Sequence, residues 1–135
     1  MVVGYSTMCA DLFHYGHMLF LKQAKTECDF LILGLHSDQD ITKNKRKPIL
    51  NIEERKKTLE ISGLVDKVVI DAPYIINDQI LHDIGADIFI YATATEDENQ
   101  HYLKNYILTS NVKKINYTEG ISTSEIIKRI KSNNL

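Results

Sequence analysis

Apolar residues along this chain gather into short runs, and each run is followed by a longer stretch with apolar positions at three- and four-residue steps. Short runs rich in β-branched residues read as strands buried on both faces, and the spaced stretches as helices with one apolar side. The pattern predicts strands at Val2–Ser6, Phe30–Leu35, Lys67–Ile70, Ile88–Tyr91 and Val112–Asn116. Helices are predicted over His17–Glu27, Ile52–Ile61, Asp78–Ile84, Asn99–Leu108 and Thr123–Ile130, with Met18, Leu19, Phe20 and Ala24 forming the core face of the first. Strands alternating with helices belong to the α/β class, as a doubly wound parallel sheet of about five strands. The most polar stretch, Asp38–Lys47, is predicted to be a mobile connection. No repeat, low-complexity tract or Pro/Gly linker divides the pattern, so residues 1–135 read as one domain.

Composition narrows the classes. At 135 residues and 44% hydrophobic, the chain can bury one core. Its 16 basic and 18 acidic residues leave a net charge of -2, which gives no footprint for nucleic acid or an anionic membrane. Apolar runs are far shorter than a membrane span, and Met1–Tyr5 does not begin a secretion signal. Cys9 and Cys28 fit no zinc or redox spacing and read as reduced thiols, so the expected location is cytoplasmic. An anionic ligand must therefore meet a local cluster.

In an open sheet of this kind, ligands bind beyond the carboxyl ends of the strands. The loop after the first strand ends His14-Tyr15-Gly16-His17 and runs into a helix. A helix start offers unpaired N–H groups and a positive dipole end, Gly16 allows close backbone approach, and two imidazoles add donors. The same residues could be polar caps or half of a metal site. After the last strand, Thr118-Glu119-Gly120-Ile121-Ser122-Thr123-Ser124 opens the last helix with glycine and hydroxyls, either as a second anion cradle or as an ordinary cap.

Together these two segments resemble the HxGH and TEGIST motifs of the cytidylyltransferases that act on ethanolamine phosphate, choline phosphate and glycerol 3-phosphate. Asp29–Asp38, Lys45, Asn51–Arg55, Val65–Val69 and Ala72–Tyr74 fall where those enzymes have similar runs. The resemblance implies a Rossmann-like sheet and transfer of CMP from CTP to a phosphorylated small alcohol or related phosphonate, supplying lipid or cell-envelope precursors. It implies catalytic roles for His14, His17 and Lys45, and nucleotide contacts from Thr7, Met8, Cys9, Asp11, Gly16, Ala92, Thr93, Thr118, Gly120, Ile121, Ser122, Thr123 and Ser124. Lys45 and Arg55 are expected to contact the acceptor, Asp11 to order its loop or hold Mg2+, and the protein to be a homodimer. On local grounds alone, Lys45 belongs to the basic run Lys43–Lys47 and Arg55 to a helix surface.

The chain also departs from that family. Met8-Cys9-Ala10-Asp11 stands where Gly-x-Phe-Asp is usual, Gly63 or Leu64 and Tyr117 stand where arginines are usual, and Ala92-Thr93-Ala94-Thr95 replaces a short acidic run. Two readings thus stand beside the leading one: a nucleotide-binding module without turnover, and an adenylyltransferase with the same HxGH site. Loss of the acidic run predicts weakened preference for CTP over UTP or ATP.

Overall fold

A computed structural model describes residues 1–93, 106–107, 111–116 and 118–133. The elements are, in chain order, β1 (Val3–Met8), α1 (Tyr15–Thr26), β2 (Phe30–Leu35), α2 (Asp38–Asn44), α3 (Ile52–Ser62) and β3 (Lys67–Val69). They continue with β4 (Ile76–Asn77), α4 (Asp78–Ile84), β5 (Ile88–Thr93), β6 (Tyr106–Ile107), β7 (Val112–Asn116) and α5 (Thr123–Ser132). Five strands form a parallel sheet in the order β3, β2, β1, β5, β7, while β4 and β6 form a separate parallel pair.

Side chains alternate across the sheet as the pleat requires. Leu31, Leu33 and Leu35 pack with Leu21 and Ala24 of α1 and Leu59 of α3. Tyr5, Ile32 and Phe89 pack with Ile76 and Leu81 in a second cluster. Both faces are therefore covered, which is why the strands read as nearly continuous apolar runs.

The strands β2 and β7 and the helix α4 coincide with their predicted spans, and β1 and β5 each run two residues further. The polar stretch differs. Residues Asp38–Asn44 are helical, started by Ser37, whose hydroxyl accepts from the Asp40 N–H at 3.0 Å. Only Ile41 is buried in α2, so one apolar residue could not announce a period. In α1 the buried residues are Leu21 and Ala24, with Phe20 packed against their cluster, while Met18 and Leu19 are 40% and 42% exposed. At 100° per residue, Phe20, Leu21 and Ala24 share a stripe with His17, and Met18 and Leu19 fall outside it. Of the helix predicted over Asn99–Leu108, residues 99–105 and 108 lie outside the described residues, and Tyr106–Ile107 are strand β6. Among the described residues, no helix is long and apolar enough to cross a membrane.

The central strand β1 has β2 on one side and β5 on the other. The chain leaves β1 toward β2 and β3, then returns to build β5 and β7 on the opposite flank. The carboxyl ends of β1 and β5 thus border the point where the strand order reverses.

Candidate functional site

A cleft of about 840 Å³ opens at this point. Thr7, Met8, Cys9, Asp11, His14, Gly16, His17, Lys45, Ala92, Thr118, Ile121, Ser122, Thr123 and Ser124 line it, so segments from both ends of the chain meet there. Three expected residues do not. Thr93 is buried in β5 opposite Asn116, Gly120 is exposed with φ +90°, and Arg55 lies beneath the cleft. Ala94, Thr95 and Tyr117 lie outside the described residues.

The two histidines are parts of the α1 cap. His14 is the N-cap residue, and its Nδ1 accepts from the Gly16 N–H at 3.1 Å. His17 Nδ1 accepts in return from the His14 N–H at 3.1 Å. The rings lie 3.9 Å apart at 35°, and His17 stacks on Phe13. A nitrogen that accepts a backbone N–H carries a lone pair, so in each neutral ring the hydrogen is on Nε2. Both rings are neutral near pH 7. Burial pushes His14 below its ordinary value, and burial, His14 and Lys45 push His17 down to about 4 against the opposing pull of Asp11. Two Nε2–H donors therefore stand at a helix N-terminus without charge repulsion between them. Gly16 makes this possible, because a Cβ there would lie 2.9 Å from His14 Cε1 and 3.2 Å from Ile121 Cγ2.

Asp11 orders the loop that carries them. It is 2% exposed, and its carboxylate accepts from Ile49 N–H at 2.9 Å, Leu50 N–H at 2.9 Å and Arg46 Nη1 at 3.1 Å. Burial would raise its pKa, but these bonds together lower it. On either side, Ala10 and Leu12 take left-handed φ values of 56° and 51°, each costing about 1–2 kcal/mol relative to ordinary backbone. Such geometry persists only where its surroundings over-determine it. A further tie comes from Thr123 Oγ1, which donates to the Asp11 carbonyl at 2.7 Å and joins the starts of α1 and α5. Ser122 caps α5 by accepting from the Glu125 N–H at 3.1 Å. The second cradle is thus a helix cap as well, leaving backbone N–H groups of the first turn of α5 beside the cleft.

Arg55 pins the same loop from below. It is fully buried and donates to the carbonyls of Cys9 at 2.8 Å, His36 at 2.9 Å and Leu50 at 3.2 Å, and to Asp38 Oδ1 at 2.6 Å. It is neither a surface ion-pair partner nor part of the cleft wall. Lys45 ends α2, with its Nζ 3.9 Å from Cys9 Sγ, and it is exposed toward the opening. The cleft also contains His36, Asn44, Arg46, Tyr74, Tyr91 and Asn116, to which the sequence reading gives no role. For His36 and Asn116 a signal existed: each lies at the carboxyl end of a predicted strand.

Among the described residues, no group of three or more His, Cys, Asp or Glu could hold a metal ion. Asp11 is the one carboxylate on the described cleft wall, and both its oxygens are engaged. The donor set does not fit a magnesium ion held by protein carboxylates. It fits a polyanion: neutral N–H donors, two helix starts, and the cations Lys45 and Arg46.

The family model described as cytidylyltransferase-like matches residues 9–129. A glycerol-3-phosphate cytidylyltransferase of Bacillus spizizenii is 36% identical, covering 97% of each chain. Ethanolamine-phosphate cytidylyltransferases of Dictyostelium discoideum and Mus musculus are 31% and 33% identical over 90% of this chain, which spans about a third of their length. In fold, the chain is similar to a lipopolysaccharide core biosynthesis protein of Thermoplasma volcanium, with a TM-score of 0.67 at 20% identity, covering 88% of this chain and 99% of that one. The family match spans both helix starts of the cleft and the loop that bears the histidines, and by it the chain belongs to the cytidylyltransferase-like family of nucleotidyltransferases.

Proposed function

We propose that the cleft transfers CMP from CTP to a phosphorylated small alcohol. A phosphate oxygen of the acceptor attacks the α-phosphorus, the new P–O bond forms as the bond to the bridging oxygen breaks, and pyrophosphate leaves. The observation that carries this reading is the His14–His17 cap, which fixes two neutral Nε2–H donors in the cleft at the start of α1, the kind of donor pair that stabilises charge developing on α-phosphoryl oxygens. Transfer of this kind needs positioning and charge stabilisation more than a general base. Ser122, Thr123 and the first turn of α5 take the outer phosphates, and Lys45 bridges the acceptor phosphate to the α-phosphate. Arg55 is a positioning residue acting through the Cys9 and His36 carbonyls. Magnesium would enter with the triphosphate and supply positive charge to its oxygens, while Asp11, which accepts three hydrogen bonds from Arg46, Ile49 and Leu50, keeps the role of ordering its loop.

The test is pyrophosphate release with CTP, UTP or ATP and each of ethanolamine phosphate, choline phosphate and glycerol 3-phosphate. His14→Ala and His17→Ala are expected to lower kcat by about 100-fold or more, with a smaller loss of CTP affinity, as for removal of a transition-state donor. Near-normal turnover in both variants removes the reading, and CTP binding without release favours the binding module. A homodimer is also proposed, supported by the exposed Tyr15, Met18 and Leu19 along one side of α1. Sedimentation as a monomer at micromolar concentration overturns it.

A further inference from the structure

Two reactive side chains reach the cleft from different elements and stand with their functional atoms side by side. Cys9 immediately follows β1 and Lys45 immediately follows α2, and the Lys45 Nζ lies 3.9 Å from the Cys9 Sγ. Both backbones are fixed. Arg55 Nη1 donates to the Cys9 carbonyl at 2.8 Å, and the Lys45 N–H donates to the Ile41 carbonyl at 2.8 Å. The thiol is half-buried on the cleft wall, and the lysine is exposed at the opening. Among the described residues no carboxylate pairs with Lys45, whereas the neighbouring Arg46 is tied to Asp11 at 3.1 Å. The second thiol is placed otherwise. Cys28 Sγ donates to the Ala24 carbonyl at 3.5 Å and fills the space beside Gly4, where an added Cβ would meet it at 2.8 Å. Burial pushes its pKa up, as in an inert structural cysteine.

A solvent-accessible thiol is oxidised first to a sulfenic acid, which a neighbouring nucleophile then traps. At Cys9 that nucleophile is an amine. With hydrogen peroxide as oxidant, the thiol sulfur takes one peroxide oxygen and the other leaves as water. Lys45, its ammonium proton given to solvent, attacks the sulfur through the Nζ lone pair; the S–N bond forms, the S–O bond breaks and a second water leaves. One thiol, one amine and one peroxide thus give one sulfenamide and two waters, and sulfur loses the two electrons that peroxide gains. A small thiol reverses the step by attacking the sulfur and expelling the amine, and a second thiol then frees Cys9. The bond removes the Lys45 charge and ties the end of α2 to the loop after β1. We propose that Cys9 and Lys45 form a redox switch, joined by hydrogen peroxide through a sulfenamide that closes the cleft and parted again by a thiol. The effect on turnover rests on the transfer reading above, and the bond itself does not.

The full chain is treated with hydrogen peroxide beside Cys9→Ser and Lys45→Arg. Each is followed by intact mass, by peptide mapping and by pyrophosphate release relative to its own untreated activity. In the wild type the expected result is a mass lower by two hydrogens, a map that joins the Cys9 and Lys45 peptides, and release that falls in proportion to the joined fraction. Dithiothreitol restores mass and release together. Neither variant forms the link, and in Lys45→Arg the Cys9 sulfur gains oxygen instead. A link between Cys9 and Cys28, or oxygen gained at wild-type Cys9 without any link, overturns the inference. The wild-type map decides this even if a variant fails to fold. A Cys9–Lys45 link that leaves release unchanged overturns the switch and leaves the transfer reading standing. Absence of release before treatment overturns the transfer reading, and the map still decides the bond.

Discussion

Which ring nitrogen faces the backbone decides what each histidine of this cleft can do. The pair His14 and His17 was legible in the sequence, because two imidazoles around a glycine at a helix start suit an anion. Their tautomers were not, since these depend on bonds of 3.1 Å to the Gly16 and His14 N–H groups that only the folded cap defines. The tautomer of His36 was hidden for the same reason: the sequence places it after a strand but does not show the Ala72 carbonyl, 3.1 Å from its Nδ1, that fixes its proton. Gly16 tests the cap without removing a donor. An alanine Cβ there would stand 2.9 Å from His14 Cε1 and 3.0 Å from Nδ1, so the ring must move off its N–H partner. Alanine in a helix gains up to about 1 kcal/mol over glycine, which offsets much of the local strain in stability. Catalysis has no such offset, since a shift of about 1 Å in a positioned group costs roughly 100-fold. Gly16→Ala is therefore expected to melt near the wild-type temperature while losing about 100-fold in kcat. Turnover within about threefold of wild type would mean that ring placement is not limiting.

At the scale of elements, the sequence exposed those that bury apolar residues and hid those held by polar bonds. The helix α2 has one buried side chain, Ile41, and is defined by its Ser37 cap, acidic first turn and terminal Lys43, so hydrophobic spacing could not find it. Arg55 escaped for a related reason. It occupies the inward face of α3 four residues before the buried Leu59, but a charged residue beside Glu53 and Glu54 reads as surface. Burial makes it the element that ties the ends of β1 and β2 to the start of α3, through Cys9, His36 and Leu50. Arg55→Met keeps much of the volume and removes every one of these donors. Each buried carbonyl left unpaired costs about 1–3 kcal/mol, so the loss of stability is expected to reach about 3 kcal/mol or more. The left-handed Ala10 and Leu12 would lose a support as well, and kcat/KM is expected to fall further than stability explains. Lysine should rescue little, because an ammonium cannot match the planar fork that spans these carbonyls. A denaturant midpoint within error of wild type for Arg55→Met rules out this pinning role.

Across the whole molecule, the sheet order could be anticipated only as a class, whereas the site depends on one consequence of it: β5 returns to the far side of β1 and brings α5 back to the first loop. The bond from Thr123 Oγ1 to the Asp11 carbonyl closes that circuit across 112 residues of sequence. Loading this junction with imidazoles that are partly or fully buried makes folding itself sensitive to pH. His14, His17 and His36 all have folded pKa values below the ordinary 6.5, with His17 lowered to about 4. Between these limits the unfolded chain binds more protons than the folded one, so stability falls as pH drops from about 6.5 toward 4 and is nearly level above 6.5. Asp11 and Asp66 act in a separate window. Their folded values are lowered below 3.8, so what they contribute is intact above 3.8 and is lost only as pH falls through the lowered values. Thermal midpoints measured between pH 8 and pH 3 are therefore expected to show a plateau, a decline beginning near 6.5, and a second decline below 4. Protonating His14 or His17 places a hydrogen on the Nδ1 that accepts the cap bond, so transferase activity should fall over the first decline and not wait for the second. In His17→Asn the first decline should be shallower, because its most strongly lowered group is gone. A midpoint that stays level from pH 7 to 4.5 in the unmodified protein would show that these rings are not buried as neutral bases, and would take the two-donor reading of the cleft with it.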